Sequence, residues 1–263
     1  MSGTKNDFPR LVEIMARLRS KNGCDWDKEQ TYDTIRPYLL EETFEVIESI
    51  LDKDMHALKE ELGDLLLQVV FLSQIAADEK KFTIDDVIAG INDKLIRRHP
   101  HVFGESEASS TDEILRQWEE IKKQEKIDKN IEHRSVLDGV PKVLPALTQA
   151  YKIQGKAKRV GFDFPDWREA FAKVREEVEE LAEEMESSPP ERIEEELGDL
   201  IFALVNVARM RSIDAEGALM KTNRKFRKRF AFIEDHFAKE NRELSTLTLA
   251  EMDAVWEKSK LAE

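Results

Sequence analysis

The fold of this chain is decided by a stretch of sequence that occurs twice. One copy reads EEVEELAEEM (176–185) followed by EEELGDLIFALVNVARM (194–210), and the other reads EETFEVIESI (41–50) followed by KEELGDLLLQVVFLSQIA (59–76). The two copies align without a gap, and each acidic position recurs 135 residues further on. The matched pairs are Glu42 with Glu177, Glu45 with Glu180, Glu61 with Glu196, and Asp64 with Asp199. Because helix propensity alone does not preserve polar positions, we interpret the chain as a tandem repeat of one structural unit.

The composition favours helices. Glycine (10) and proline (8) are rare among the 263 residues, and long stretches of Leu, Glu, Lys, Ala and Ile carry few turn signals. We therefore predict an all-α fold with two helical bundle units of four or five helices each. The predicted domains are an N-terminal unit (1–125), a linker (126–145) and a C-terminal unit (146–263), because SEASSTDE and DGVPKVLP are typical of turns.

Local signals place several helix ends. Asp166 is positioned to cap a helix that starts near Trp167, and the pair Pro189–Pro190 opens the next helix. The segments LLLQVVFLSQIA (65–76) and LIFALVNVARM (200–210) are apolar nearly all round. Such helices lie inside a bundle or at a subunit interface.

The charge of the chain limits its partners. A formal net charge of -14 is expected to repel nucleic acid and anionic membranes. An acidic protein that binds an anion therefore needs a cation between them. The single cysteine, Cys24, cannot form an intramolecular disulfide, and the N-terminal MSGTKNDFPRLVEIM lacks the apolar core of a secretory signal, so we expect a cytoplasmic protein. The longest apolar stretch (65–77) is too short to span a membrane and is interpreted as a buried helix.

The repeated acidic residues have the spacing of a metal site. Residues three positions apart lie on one helix face, which is the spacing of Glu177 and Glu180 and also of Glu196 and Asp199. Two such helices packed antiparallel bring four carboxylates together, and Gly198 is expected to allow their close approach. The charges repel one another unless a divalent cation neutralises them, and all-oxygen ligands favour Mg²⁺ or Mn²⁺ over Zn²⁺. A solvated acidic surface is the alternative. Such a surface would not require the same four acidic positions in the first half of the chain, where they recur as Glu42, Glu45, Glu61 and Asp64.

Basic residues supply the other half of an anion site. Lys225 and Arg229 share a helix face, as do Trp256 and Lys260, and a triphosphate requires positive charge opposite its metal. The alternatives are a solvated basic helix and a tryptophan that fills the core. The first half repeats the four positions as Lys94, Arg98, Trp118 and Lys122.

Two further cations distinguish the second half. Lys173 stands four residues before Glu177, and Arg192 stands four before Glu196. The first half has uncharged residues at the matching positions, Tyr38 and Ala57. The second half is therefore better equipped to bind phosphate, although a lysine four residues before a glutamate also forms a common helix-stabilising ion pair.

The order EExxE, ExxD, a Lys/Arg pair and a terminal Trp-x-x-x-Lys resembles the MazG family of the all-α NTP pyrophosphatase superfamily. The segments RLRSKNGCDWDKEQT and LPALTQAYKIQGKAKRVGFDF extend the resemblance over essentially the whole chain. It implies a homodimer that hydrolyses nucleoside triphosphates, ribo and deoxy, to nucleoside monophosphate and pyrophosphate. It also implies Mg²⁺ ligands, Glu177, Glu180, Glu196 and Asp199, and nucleotide contacts, Lys173, Lys225, Arg229, Trp256 and Lys260.

The C-terminal unit is expected to carry the main active site, and the first half a second site whose activity stays open. Arg192 and Glu195 join the candidates for nucleotide binding. Glu176, Glu194 and Glu195 are candidates for the general base, and the sequence does not choose among them. Two alternatives remain: a house-cleaning pyrophosphatase for one non-standard or pyrimidine nucleotide, and a non-catalytic acidic protein that binds partners through its helices.

Overall fold

The computed structural model describes residues 7–104, 110–128 and 135–261. Within these ranges all regular structure is helical and no strand occurs, which confirms the predicted all-α class. The chain divides into two compact units, Met1–Ile131 and Glu132–Glu263, and each contains one copy of the repeated stretch.

The first unit is built around two long paired helices. Its helices are α1 (Phe8–Leu18), α2 (Asp25–Glu29), α3 (Tyr32–Asp52), α4 (Met55–Asp78), α5 (Ile84–Arg98), α6 (Pro100–Phe103) and α7 (Thr111–Asp128). Lys53 has a left-handed backbone (φ 56°) that ends α3, and Asp54 caps α4 by accepting hydrogen bonds from the backbone N–H groups of His56 and Ala57. The resulting hairpin packs α3 against α4, with α1 alongside. Its buried core consists of Met15, Ile35, Val70, Phe71 and Ile75.

The second unit repeats the hairpin. Its helices are α8 (Ala146–Lys158), α9 (Trp167–Ser187), α10 (Pro190–Met210), α11 (Ala215–Lys239) and α12 (Leu249–Leu261), with a 3-10 turn at Leu244–Thr246. Helix α10 packs against α9 and α8, and α11 packs against α12. Ile233, Phe237 and Val255 form the buried core between α11 and α12.

The predicted helix ends are confirmed. The Asp166 carboxylate accepts hydrogen bonds from the backbone N–H groups of Arg168 (2.7 Å) and Glu169 (3.2 Å), and Pro190 is the first residue of α10. The second unit has the predicted number of helices. The first unit has more helices than predicted, because α2 and α6 are helices of one turn, which are too short to show an apolar periodicity in the sequence.

Helices α4 and α10 each leave one apolar stripe uncovered. The α4 stripe (Leu62, Leu66 and Val69) and the α10 stripe (Leu197, Ile201 and Leu204) occupy matching positions of the repeat. Their exposed fractions lie between 38% and 49%. Other positions of the two helices are buried, among them Val70, Phe71 and Ile75 of α4 and Ala203 and Val205 of α10. Packing within each unit therefore explains the buried apolar residues of α4 and α10 but not the apolar residues of the two stripes.

The prediction for Gly198 is wrong for contacts within the chain. A Cβ added at Gly198, or at the matching Gly63, would meet nothing within 4 Å, so no neighbouring helix approaches there. The two glycines lie next to the uncovered stripes instead. No helix in the described part of the chain is long and apolar enough to cross a membrane.

Candidate functional site

The hairpin of α9 and α10 gathers three carboxylates. Glu177, Glu196 and Asp199 each offer an oxygen, and these oxygens lie within 4.8 Å of one another. Glu177 is buried, with 5% of its surface exposed, whereas Asp199 is exposed to solvent. A buried carboxylate needs a charge partner, and Lys173 lies within ion-pair distance of Glu177.

The hairpin of α3 and α4 gathers the matching trio. Glu42, Glu61 and Asp64 have oxygens within 4.8 Å of one another. Desolvation, and then the negative charges of Asp64 and Glu45, raise the pKa of Glu42 above its usual value. Desolvation, followed by Glu45 and Asp64, likewise raises the pKa of Glu61. Both trios thus form from the helix spacing that the sequence predicted, in each unit separately.

Glu180 and Glu45, the fourth predicted ligands, lie outside these trios but next to them. The side chain of Glu180 is 47% exposed, and one of its oxygens lies 3.9 Å from Nζ of Lys173. Desolvation raises the pKa of Glu180 and the Glu177 charge adds to the rise, although Lys173 acts in the opposite direction. Glu180 therefore shares the electrostatic environment of the trio without being part of it.

Two basic side chains neutralise the second trio. Nζ of Lys173 lies 2.7 Å from an oxygen of Glu177 and 2.7 Å from an oxygen of Glu176, and these hydrogen bonds raise the pKa of Lys173. Arg192 contacts three acidic side chains, those of Glu195 (2.8 Å), Glu196 (3.3 Å) and Glu184 (3.5 Å). The predicted phosphate-binding cations therefore lie beside the trio, paired with its carboxylates.

The donor set fits a hard divalent cation. Each trio consists of carboxylate oxygens alone, and neither trio contains the imidazole or thiolate ligands that Zn²⁺ prefers. A cation that neutralises the three charges removes the repulsion that raises the pKa values of Glu42 and Glu61. Glu177, Glu196, Asp199 and their first-unit counterparts are thus the residues that can hold Mg²⁺ or Mn²⁺.

A cavity of about 740 Å³ opens beside the second trio. Lys173, Glu177 and Asp199 line it, so two of the three trio carboxylates and the neighbouring lysine face this space. Most of the remaining wall is apolar, and the aromatic side chains are those of Phe162, Phe164 and Phe202. The volume lies within the range of small-molecule sites.

A buried ion pair fixes one wall of this cavity. The Arg209 guanidinium donates to an Asp163 oxygen, and its Nε donates to Oδ1 of Asn206 at 3.2 Å. All three residues line the cavity, and the side chains of Arg209 and Asp163 are 6% and 14% exposed. This pair ties the loop before α9 to the end of α10, so the wall is held by charge as well as by packing.

The predicted nucleotide-binding residues of α11 and α12 form a separate group. The Arg229 guanidinium lies 5.6 Å from the Trp256 ring centre, and the Phe226 ring packs on the same tryptophan at 5.2 Å. Lys260 pairs with Glu257, and Lys225 is exposed. Among the described residues that line the cavity, none belongs to α11 or α12.

In the first unit the counterpart of Arg229, which is Arg98, is paired with a carboxylate. Glu125 on α7 accepts hydrogen bonds from Arg98 (2.6 and 3.2 Å) and from Arg97 (2.7 Å) on α5. These contacts, that with Arg98 foremost, lower the pKa of Glu125 to about 2. Lys122 lies 4.6 Å from the Trp118 ring centre. Arg98, which repeats Arg229 in the first unit, is thus already paired with the Glu125 carboxylate.

Sequence reasoning missed the polar residues of the cavity wall. Gln154 on α8, and Asn206 and Arg209 on α10, line this space, and Asp163 completes the ion pair. The only signal was the interruption of apolar helical faces by these side chains. Such interruptions are common, so they do not identify a cavity by themselves.

The fold and the site define a class of all-α proteins in which a helix hairpin presents clustered carboxylates to a cavity. The MazG nucleotide pyrophosphohydrolase domain matches this chain twice, over residues 30–103 and 168–231. Each match contains one of the two trios, so the tandem repeat is confirmed.

The full-length relatives agree with the domain matches. The "Nucleoside triphosphate pyrophosphohydrolase/pyrophosphatase MazG" of Thermotoga maritima is 46% identical over 96% of this chain and 95% of its own. The "Nucleoside triphosphate pyrophosphohydrolase" of Escherichia coli K12 is 46% identical over 98% of both chains. Bacillus subtilis YabN, a longer protein, is 46% identical over 98% of this chain and 52% of its own.

This chain belongs to the MazG nucleotide pyrophosphohydrolase family. The resemblance inferred from the acidic and basic motifs is thereby confirmed. Membership makes the protein an enzyme of the nucleoside triphosphate pyrophosphohydrolase class, and it sets aside a purely non-catalytic acidic protein.

Proposed function

We propose that this protein hydrolyses ribo- and deoxyribonucleoside triphosphates to the monophosphate and pyrophosphate, with Mg²⁺ or Mn²⁺, chiefly in its second unit. One observation carries the proposal: the trio of Glu177, Glu196 and Asp199 adjoins a cavity of about 740 Å³ that Lys173 also lines. The names of the Thermotoga maritima and Escherichia coli relatives support the same reaction. The lone cysteine is consistent with a cytoplasmic enzyme.

The chemistry follows from the charges beside the cavity. Bound Mg²⁺ would supply charge neutralisation for the phosphates and a water of lowered pKa. Glu177, Glu196 and Asp199 hold the ion, and Glu180 adds negative charge next to them. Lys173 and Arg209 both line the cavity, but Arg209 is paired with Asp163 in the wall, whereas Lys173 lies beside the trio. We therefore expect Lys173 to contact phosphate oxygens.

A carboxylate next to the trio accepts the proton of the attacking water. Glu176, Glu194 and Glu195 are the candidates. Glu176 accepts a hydrogen bond from Lys173 and Glu195 accepts one from Arg192, at 2.7 and 2.8 Å. A carboxylate oxygen that already accepts a hydrogen bond from a cation has one fewer lone pair for the attacking water. Glu194 therefore deserves the first substitution among the three.

The residues of α11 and α12 are proposed to act on the pyrophosphate end of the substrate. Lys225, Arg229 and Lys260 carry the positive charge that a departing pyrophosphate requires. Trp256 orders this group by packing against Arg229, and we expect it to adjoin the cavity in the assembled enzyme.

A homodimer is proposed as the working assembly. The α4 and α10 stripes expose apolar side chains at matching positions of both hairpins, and burial of such side chains stabilises an interface. We propose that a second copy of this chain covers them. The same assembly would give Gly63 and Gly198 the close helix approach that they lack within one chain.

The reaction is tested by product analysis. Purified protein with Mg²⁺ should convert each common nucleoside triphosphate to the monophosphate and pyrophosphate, and chelation with EDTA should stop turnover. Anion-exchange chromatography separates these products from a nucleoside diphosphate and orthophosphate. Appearance of the latter two as primary products would refute the proposed bond cleavage. Turnover of one nucleotide alone would favour the house-cleaning alternative.

A further inference from the structure

The cavity contains a buried hydrogen-bond acceptor that lacks a partner. Gln154 on α8 lines the cavity and is 6% exposed. Its Nε2 donates a hydrogen bond to the backbone carbonyl of Phe202 at 2.8 Å, whereas its Oε1 is buried and has no hydrogen-bond partner among the residues that the structure describes. A carbonyl only accepts, so the Phe202 contact fixes which end of the amide is the donor and leaves Oε1 as the free acceptor.

An unpaired buried acceptor destabilises a core compared with an apolar side chain of the same size. Leucine or methionine would fill the same volume without loss of hydration, and burial of an amide oxygen is unfavourable unless a donor meets it. Oε1 of Gln68 is also buried without a partner among the described residues, so an unpaired acceptor alone does not indicate a ligand site. Gln154 differs because it lines the cavity, where a ligand can bring a donor to it. The cavity that this residue lines provides the space for such a ligand.

The two kinds of wall match the two parts of a nucleotide. Lys173, Glu177 and Asp199 provide charge for a phosphate chain and its metal. Apolar and aromatic side chains, among them Phe162 and Phe202, provide a surface on which a nucleobase can pack. Gln154 lines the same cavity, so its acceptor can meet the polar edge of the base.

We propose that the cavity of the second unit binds the nucleobase and that Oε1 of Gln154 accepts a hydrogen bond from an N–H group on the base edge. The inference rests on the proposed function and names a specificity contact for it. Adenine and cytosine present an exocyclic amino group, and guanine, uracil and thymine present a ring N–H. A single acceptor can thus form a hydrogen bond with every common base, which accords with broad substrate specificity.

The first unit lacks this arrangement at the matching positions. Phe71, which is 3% exposed, stands where the second unit has Asn206, and Tyr38 stands where it has Lys173. The Trp26 ring packs edge-on against both, with ring centres 6.2 Å from Tyr38 and 6.4 Å from Phe71. Aromatic side chains thus replace two polar residues of the nucleobase cavity, although the carboxylate trio is retained.

The test deletes each partner of the proposed hydrogen bond in turn. Purine riboside 5′-triphosphate lacks the amino group of ATP, and Gln154→Leu lacks the acceptor. Wild-type protein should prefer ATP in kcat/KM by about 5- to 30-fold, the scale of one hydrogen bond to a buried acceptor. Gln154→Leu should treat the two substrates alike, because the interaction is already lost.

A matched control exists in the first unit. Gln68 is 7% exposed, its Oε1 also lacks a partner, and it lies outside the cavity. Gln68→Leu should therefore keep the wild-type preference for ATP. Retention of that preference in Gln154→Leu, or its absence in wild-type protein, would overturn the proposal. If Gln154→Leu does not fold, the two substrates still decide the matter with wild-type protein.

Failure of the proposed function is distinguished by a binding measurement. Titration calorimetry gives Kd for AMP and for purine riboside 5′-monophosphate without any turnover. If neither triphosphate is hydrolysed, the proposed function fails, and the two Kd values decide the nucleobase contact. A preference for AMP that disappears in Gln154→Leu supports it, and equal Kd values in wild-type protein refute it.

Discussion

Glu177→Gln and Glu42→Gln form a matched pair that tests which unit does the chemistry. Both residues belong to a carboxylate trio and occupy the same position of the repeat. Glutamine nearly preserves the side-chain volume and removes the charge. Glu177 faces the cavity and contacts Lys173, whereas Glu42 has Glu45 and Asp64 as its charged neighbours.

The size of the effect follows from the spacing of the oxygens. At the 4.8 Å limit of the trio, two unit charges interact by roughly 3 kcal/mol at an effective dielectric constant of about 20. A divalent ion bound by the trio carries twice the charge and lies closer to each ligand. The larger charge of the ion and the screening by solvent at the exposed Asp199 act in opposite directions, so we take about this amount as the cost of losing one ligand charge. About 3 kcal/mol in the transition state corresponds to a loss of about 100-fold in kcat/KM.

Steady-state release of pyrophosphate from ATP measures both variants. Glu177→Gln should lose about two orders of magnitude, while Glu42→Gln should retain most of the wild-type kcat/KM. Circular dichroism and size-exclusion chromatography must show that both are folded and in the wild-type assembly, since relief of repulsion alters stability on its own. A folded Glu42→Gln that is the more impaired of the two would place the working site in the first unit.

Three further outcomes are expected. Arg229→Ala should lower kcat/KM for ATP by at least about 10-fold, because one charge-assisted contact to the leaving pyrophosphate is lost. An unchanged kcat/KM would show that Arg229 of α11 makes no contact that matters for the reaction. Glu125→Gln should destabilise the first unit at pH 7, since the carboxylate pairs with Arg98 and its pKa is lowered to about 2. That contribution is present above the usual value of 4.5 and is lost as the pH falls toward 2, so thermal melts of variant and wild type should converge in acid. Ile201→Glu should shift the sedimentation coefficient to that of a monomer, because a charge in the α10 stripe opposes burial; an unchanged coefficient would remove this stripe from the interface.

Much of the hairpin architecture was predictable because it depends on local spacing. A three-residue interval places Glu196 and Asp199 on one face of any helix, and Asp166 caps a helix through its own backbone neighbours. These relations hold before any tertiary contact forms. The repeat then supplied the pairing of the two helices, because the same four acidic positions recur together.

The cavity was beyond prediction because it depends on contacts between distant segments. Gln154 and Phe202 are 48 residues apart, and their hydrogen bond exists only once α8 packs against α10. At Gly198 the sequence instead predicted a close contact that the structure does not contain among its described residues. A small residue in a helix suggests close packing, yet the sequence does not say whether the packed partner belongs to the same chain.

The two units share the carboxylate trio but differ in the residues around it. A carboxylate trio costs free energy in both units, since its charges repel, and a cation offsets that cost wherever it binds. Binding a triphosphate requires more than the cation. The second unit has Lys173 and a cavity with a free acceptor, whereas the first has Tyr38 in place of the lysine and Glu125 already bound to Arg98. The first unit therefore retains the carboxylates of the candidate metal site while its neighbouring positions favour packing, so we propose that the surroundings of the trio decide which unit binds the nucleotide.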